Sequence, residues 1–323
     1  MLIKKRWHAG DTKKGKPLIT DYEYLKNNGI LPRLKKGSKN WGWLNRDWLG
    51  AVNISPGFRG IYFSADKNVL YRINYTSRLI SRVLAPLVTF PCPDTEILYE
   101  TARQIRWTDF VTADRTFAVF SNVANSAITH SKYAALRVKD AVADALVYKA
   151  GLRPDVSVTA PDVSLNLYIN NNQAVISVDT SGEALHRRGW REKTVSAPMQ
   201  ETVAAAIIRM TGWDGKVPLY DPMCGSGTLL CEALMHYCRI PSGIFRKKFG
   251  FEALPDFDRT VWAQVKQQAD AQIRELPENL ISGSDISEQA VAITRTNLLG
   301  MHFGNQVTTL QSDFSLLPPR KIR

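Results

Sequence analysis

One ten-residue string combines an acid, a cysteine and two glycines at close spacing: Asp221-Pro222-Met223-Cys224-Gly225-Ser226-Gly227-Thr228-Leu229-Leu230. Gly225 and Gly227 lack a Cβ, so the backbone can turn sharply and a ligand can lie against it. Three cofactor classes use such turns. A phosphate-cradling P-loop needs Gly-Lys-Ser/Thr, and no lysine follows Gly227. A dinucleotide turn places a third glycine three residues after the second, where Leu230 stands here. An acid ahead of Gly-x-Gly, with no phosphate device, suits S-adenosyl-L-methionine, whose amino acid moiety is cationic. Asp221, Met223, Cys224, Gly225, Ser226 and Gly227 are therefore the first cofactor-binding candidates.

The elements around the string must hold it in place. Val217 to Tyr220 is short and apolar enough for a buried strand, and Leu229 to Tyr237 has helical character. Strand, glycine turn and helix form the ligand-binding half of a doubly wound α/β unit. A helix from Pro198 to Met210, with Pro198 in its first turn, leads into it. Leu280 to Asp285 is a second strand ending in an acid. Ser287 caps a helix over Glu288 to Leu299, and Gln306 to Gln311 is a third strand closing at Asp313. Ligands of such folds bind at the carboxyl ends of the strands. An acid after strand two accepts from both ribose hydroxyls, and an acid after strand three meets the adenine amino group. Asp285 and Asp313 thereby join the cofactor set. Cys224, Cys231 and Cys238 are spaced by seven, so the last two lie about 10 Å apart along a helix. One metal ion cannot bridge that gap. They read as small core residues, and no metal site is expected.

The 323 residues are enough for two domains with ordinary cores, and four cysteines do not make a disulfide framework at this length. No apolar run is long enough to span a bilayer, and the basic N-terminus has no apolar stretch of a secretory signal behind it. The expectation is a cytoplasmic protein without a membrane partner. The net charge of +12 favours a polyanion, nucleic acid first. Residues 1–50 carry 12 Lys/Arg against 4 Asp/Glu, so +8 lies there. They lack a compact apolar pattern and read as a basic extension, with Trp41, Trp43 and Trp48 able to stack on bases or dock on a neighbouring domain.

Residues 51–93 read as a small α+β lobe: a strand over Phe58 to Phe63, a helix over Asn68 to Ile80, and a strand over Arg82 to Phe90. Residues 94–182 form the next lobe. Asp94 caps a helix to Gln104, and Thr116 to Ser121 is a strand. A long helix runs from His130 to Ala150 with a buried stripe of Ala134, Val138, Ala141, Val142, Ala145 and Leu146. The strands Val163–Ile169 and Ala174–Asp179 meet in an asparagine-rich hairpin, with the Ser164, Asn166, Tyr168 face half exposed. A basic linker, 183–197, and a methyl-donor domain, 198–323, complete the chain. Arg187, Arg188, Arg191 and Lys193 in the linker, beside Trp190, are candidate RNA contacts, as are Lys132, Arg137 and Lys139. A solvated charge run is the bland alternative. Residues 239–279 are an insertion whose Phe245-Arg246-Lys247-Lys248-Phe249-Gly250-Phe251 is aromatic and basic, followed by a helix from Val261 to Arg274.

From about residue 57 to 317 the chain resembles the bacterial large-subunit 23S rRNA guanine-N2 methyltransferases that carry a THUMP domain. The resemblance rests on Tyr71-Arg72-Ile73-Asn74, Ala160-Pro161-Asp162, Leu185-His186-Arg187-Arg188-Gly189, Ala197-Pro198-Met199-Gln200-Glu201-Thr202-Val203-Ala204-Ala205-Ala206 and the opening decapeptide. It implies an N-terminal α+β region, ferredoxin-like and THUMP, before a Rossmann-like class I methyltransferase domain. It also implies transfer of a methyl group from S-adenosyl-L-methionine to the exocyclic N2 of a guanine in 23S rRNA. A tRNA guanine-N2 methyltransferase shares these domains. The family's base-holding Asn/Asp-Pro-Pro-Tyr/Phe string follows a fourth strand, whereas Asp313 is followed by Phe314-Ser315-Leu316-Leu317-Pro318-Pro319-Arg320. No catalytic residue is assigned. The expectation is a truncated enzyme with a partial methyltransferase sheet and an open strand edge, the alternative being a non-catalytic RNA-binding module.

Overall fold

The structure, a computed structural model, describes residues 18–27, 29–33, 50–57, 60–151 and 153–316. The chain opens with a short helix α1 (Glu23–Asn27) and strands β1 (Gly29–Arg33), β2 (Val52–Gly57) and β3 (Gly60–Ser64), then α2 (Lys67–Thr76) and β4 (Arg82–Pro91). It continues through α3 (Thr95–Gln104), β5 (Phe117–Ala124), α4 (Ser131–Ala150), β6 (Val163–Asn170) and β7 (Gln173–Asp179). The last part holds α5 (Glu201–Met210), β8 (Leu219–Asp221), α6 (Thr228–Tyr237), α7 (Arg259–Asp270), β9 (Ile281–Asp285), α8 (Glu288–Leu299) and β10 (Thr308–Gln311). The sequence dictates many of these boundaries directly. Asp66, Asp94 and Asp258 accept from the free amides of α2, α3 and α7, and Ser287 does so for α8. Gly151 ends α4 in the left-handed region at φ 62°. Asn171 and Asn172, at φ 50° and 55°, make the two-residue turn between β6 and β7.

Two sheets result. The first has strand order β2-β3-β1-β4-β7-β6-β5. It is antiparallel except for β5 and β6, which run parallel across α4. The second is parallel, in the order β10-β9-β8. Residues 51–93 and 94–182 are thus not separate layers, because β4 and β7 pair along their lengths and make one sheet of both lobes. The stripe expected on α4 is buried at every position. Ser121, on the same sheet face as its register partner Leu167, donates to the Ser131 carbonyl at the start of α4 (2.6 Å). That places α4 on the Leu165, Leu167, Ile169 face.

Several expectations change. Residues 1–50 are not wholly an extension. Tyr22 and Tyr24 are buried in the first core, and β1 lies between β3 and β4. Trp41, Trp43, Trp48, Phe58, Arg59 and Pro318-Pro319 lie outside the described residues. The α2 helix stops at Thr76, α7 spans Arg259–Asp270, and Pro198 precedes α5, whose N-cap is Gln200. The β8 strand is half-buried rather than buried.

The Ser164 and Asn166 face of the first sheet is covered, not half exposed. The cover is the insertion. Phe249, Phe251, Leu254 and Val265 join the core of the first sheet rather than that of the second. Phe251 lies 4.5 Å from the Tyr71 ring, and Trp262 meets Tyr75 edge-on at 5.3 Å. The Tyr75 hydroxyl donates to Asp270 (2.6 Å), and the Phe251 amide to the Thr180 carbonyl (2.7 Å). This aromatic, basic segment is therefore largely a clamp between the two halves. Among the described residues, β8 and β10 each pair with β9 alone.

Candidate functional site

The glycine turn connects β8 to α6 at the carboxyl edge of the parallel sheet. Its two glycines have different tasks. Gly227, at φ 79°, caps α6, and a Cβ there would meet Thr294 Cγ2 at 2.8 Å. Gly225, at φ 57°, has nothing within 4 Å of where a Cβ would be. The first is closed by packing; the second is open, and a ligand can reach its backbone.

Helix α8 and the linker hold the turn from behind. Thr294 donates to the Gly225 carbonyl (2.9 Å). The fully buried Asn297 donates to the carbonyls of Ser226 and Lys193 (both 3.0 Å) and accepts from the amides of Glu192 (3.0 Å) and Lys193 (3.1 Å). Arg191 donates to Ser226 Oγ and Thr228 Oγ1 (both 2.9 Å) and to Glu201 (3.0 Å), with its guanidinium 4.8 Å from the Trp190 ring. Sequence reasoning missed Thr294, Asn297 and Glu201. Their signal was present: they are polar residues at helix positions that periodicity assigns to the buried side.

The three acids follow one another at the carboxyl ends of adjacent strands, each two residues further along in register: Asp221 pairs with Gly283, and Asp285 with Gln311. Asp221 and Asp285 are the last residues of β8 and β9, and Asp313 lies two residues beyond β10. Asp285 accepts from the Gly225 amide and the Ser287 amide (both 3.0 Å), so one carboxylate orients both the turn and the start of α8. Asp221 accepts from the Met223 amide (3.2 Å). Burial, with the Asp285 charge adding to it, holds the Asp221 carboxyl above the usual range. Asp313 is half-buried, and the Ser315 amide and hydroxyl hold its carboxyl below that range. Met223 is 69% exposed at the rim, while Cys224 and Ser226 are buried. Burial raises the Cys224 thiol to about 11, so it is a packing group. Among the described residues no group of three or more His, Cys, Asp or Glu could hold a metal ion.

The predicted RNA contacts do not come together. Arg188 is fully buried and pairs with the equally buried Glu232 (3.1 Å) while donating to the Leu185 and Arg78 carbonyls (2.8 and 2.5 Å). It has no surface to offer RNA. Arg191 is occupied by the glycine turn. Arg187 and Lys193 do face solvent, and Arg187 shares its charge with Glu183 (2.8 Å). On α4, Lys132 is exposed, Arg137 pairs with Glu96 (3.1 Å) and lies 4.4 Å from the Tyr99 ring, and Lys139 pairs with Asp140 (3.0 Å). His186 is half-buried.

Comparison with known proteins agrees with this geometry. Residues 92–179 match the THUMP domain, and residues 188–322 match the RMKL-like methyltransferase domain. The chain is 35% identical over 271 residues to "Putative RNA methyltransferase slr0064" of Synechocystis, covering 84% of this chain and 71% of that one. It is 41% identical over 226 residues to ribosomal RNA large subunit methyltransferase K/L of Vibrio campbellii, covering 70% of this chain. It spans only 32% of that longer relative. Among solved structures, a "predicted N6-adenine-specific DNA methylase" from Listeria monocytogenes superposes with a TM-score of 0.78 at 26% identity, over 90% of this chain and 76% of that one. SMU.472, "a putative methyltransferase complexed with SAH", shares the fold at a TM-score of 0.77 and 24% identity, over 91% of this chain and 78% of that one. The chain belongs to the THUMP-containing family of RMKL-like methyltransferases. Its fold is a THUMP-bearing α+β region joined to a Rossmann-like class I methyltransferase domain, and the family's cofactor is S-adenosyl-L-methionine.

Proposed function

We propose that this chain binds S-adenosyl-L-methionine on the Asp221–Gly227 turn and serves methylation of guanine N2 in large-subunit 23S rRNA. The observation that carries the reading is the open glycine turn ringed by three carboxylates at the ends of adjacent parallel strands. The bound cofactor supplies a sulfonium methyl group for transfer to a nucleophilic nitrogen. The chain's own residues bind and orient. Asp221 balances the cofactor's α-ammonium, which relieves the strain of an ionised carboxylate held in a buried place. Asp285 accepts from the ribose hydroxyls, and Asp313 from the adenine amino group. Met223 gives the rim an apolar surface. Cys224, Gly225, Ser226 and Gly227 present backbone, which Arg191, Thr294 and Asn297 hold in shape before any ligand arrives. N2 methylation asks more for alignment of two atoms than for a strong base.

On the RNA side the reading assigns phosphate contacts to Arg187, Lys193 and Lys132, the cations that face outward. The domains in this proposal are the two-lobed sheet to about residue 182, the linker to 197, and the cofactor half beyond. The reading also puts the protein in the cytoplasm with its rRNA.

Calorimetric titration with S-adenosyl-L-homocysteine tests the cofactor site. Asp285→Ala removes charge-assisted hydrogen bonds and should weaken binding by about 1.5–3 kcal/mol, roughly tenfold or more. Unchanged affinity removes Asp285 from the site. Nucleoside analysis of unmodified 23S rRNA after incubation with protein and labelled cofactor tests the substrate. Label in a product other than N2-methylguanosine would overturn the guanine assignment.

A further inference from the structure

Two strings that the glycine-turn site leaves unused, Ala160-Pro161-Asp162 and Leu185-His186-Arg187-Arg188-Gly189, meet the insertion around one cavity of about 870 Å³. Its volume is that of a small-molecule site. It lies on the Ser164 face of the first sheet, opposite α4. Phe120 of β5 and Phe245 of the insertion both line it, and Phe245 also packs against the second core. Phe120, a large aromatic, remains 37% exposed.

The cavity has a built, polar and cationic lining. Arg246 donates to the carbonyls of Ser181, Glu183, Ala184 and Arg187, four acceptors within 2.8–3.2 Å. That folds the linker around the opening and brings the guanidinium near the Glu183 and Asp179 carboxylates. Arg246 Nε and His186 Nδ1 are both buried without a hydrogen-bond partner just beneath this lining. Lys248 bridges to Asp162 (2.7 Å), so the insertion and the first sheet are tied at the rim. That bond, with the Thr116 amide, holds the Asp162 carboxyl at about 2. Arg82 is paired with Asp179 and Arg187 with Glu183. Lys247 is exposed and has no ion-pair partner among the described residues. The lining sets Arg82, Arg187, Arg246, Lys247 and Lys248 against Asp162 and Glu183, an excess of positive charge.

We propose that this cavity seats one unstacked nucleotide of a single-stranded RNA segment. Its base stacks on Phe120, and its phosphate faces Lys247 and Arg187. A partly exposed aromatic ring, a half-buried imidazole and excess positive charge together fit a nucleotide better than an apolar molecule or a free cation. A duplex, whose bases are stacked and paired, cannot enter. The inference rests on the RNA reading above and extends it to a contact away from the glycine turn.

The test is fluorescence anisotropy with a labelled single-stranded oligoribonucleotide and a blunt RNA duplex of equal length, on the full chain and two variants. Phe120→Ala should weaken single-strand binding about tenfold, the effect of losing one base–aromatic stack, and leave the duplex unchanged. Lys247→Ala, at an exposed and unpaired position, should lower the salt slope for the single strand by about 0.7. Both variants should titrate S-adenosyl-L-homocysteine like the parent, which shows that they fold. If the parent binds single strand and neither substitution alters it, the cavity assignment falls and the RNA reading stands. Equal losses on single strand and duplex exclude an unstacked nucleotide. A parent that binds neither RNA overturns both.

Discussion

Asp221 carries the sharpest pH consequence. In the free protein its carboxyl sits above the usual range because it is buried, with Asp285 nearby. A cation beside it favours the ionised form, so the bound state has the lower pKa. Cofactor affinity should therefore be full above the raised free-state pKa and fall as pH drops through it, with proton release on binding between the two values. Titrations in buffers of different ionisation enthalpy would measure that release. Proton uptake instead would mean that no cation sits at Asp221. Arg191 makes a second distinction. It was expected on RNA, yet its donors are spent on Ser226, Thr228 and Glu201. Arg191→Ala should cost cofactor affinity through a loosened turn by about 1–3 kcal/mol, as hydrogen-bonded charges do, while RNA affinity barely moves. The opposite pattern would return Arg191 to the RNA surface. Nothing in the string Arg187-Arg188-Gly189-Trp190-Arg191 separates outward from inward arginines; only their neighbours do.

The glycine turn and α8 behave as one element. Gly227 has a positive φ and no room behind it, since Thr294 stands 2.8 Å from the Cβ position. Gly227→Ala should cost at least the 1–2 kcal/mol of a left-handed alanine, plus displacement of α8. Gly225→Ala meets no atom within 4 Å, so it should cost stability less while still obstructing the cofactor. Urea denaturation of the two variants would read the order; a more stable Gly227→Ala than Gly225→Ala would refute this packing. Most elements were legible because their ends carry local signals, such as Asp94, Ser287 and Gly151. The exceptions share a cause. The Ser164, Asn166 face alternates like a half-exposed strand, but the insertion from a distant part of the sequence covers it. Strand β1 has no apolar pattern of its own, and pairing on both edges places it.

Across the whole molecule, a few buried polar contacts join the two halves. Arg78, after α2, donates to the carbonyls of Glu232, Met235 and Ile240 around the end of α6, where the helix dipole is negative. Arg188 neutralises Glu232 in a site closed to water. Arg188→Ala leaves that carboxylate buried, with Arg78 4.0 Å away as its nearest cation. The loss should be about 3–5 kcal/mol, and replacing both partners by apolar residues of similar volume should restore most of it. Chemical denaturation of the single and double variants checks this. A loss below 1 kcal/mol would show that water reaches Glu232. With the aromatic clamp of Tyr71, Tyr75, Phe251 and Trp262, this pair fixes where the first sheet stands relative to the glycine turn.

By itself the sequence determined the glycine turn, the three acids behind successive strands and the order of the domains. Those features are local: a turn needs particular backbone freedom, and a strand end needs an acid at a set offset. Tertiary structure alone decided which of the basic residues are surface, what Thr294, Asn297 and Glu201 do, and that residues 245–250 line a cavity. A side chain's charge is written in the chain, but whether it meets water, a carboxylate or a carbonyl depends on segments tens to hundreds of residues away. For Arg188 that segment was α6, and its burial turned a predicted RNA contact into an internal support of the fold.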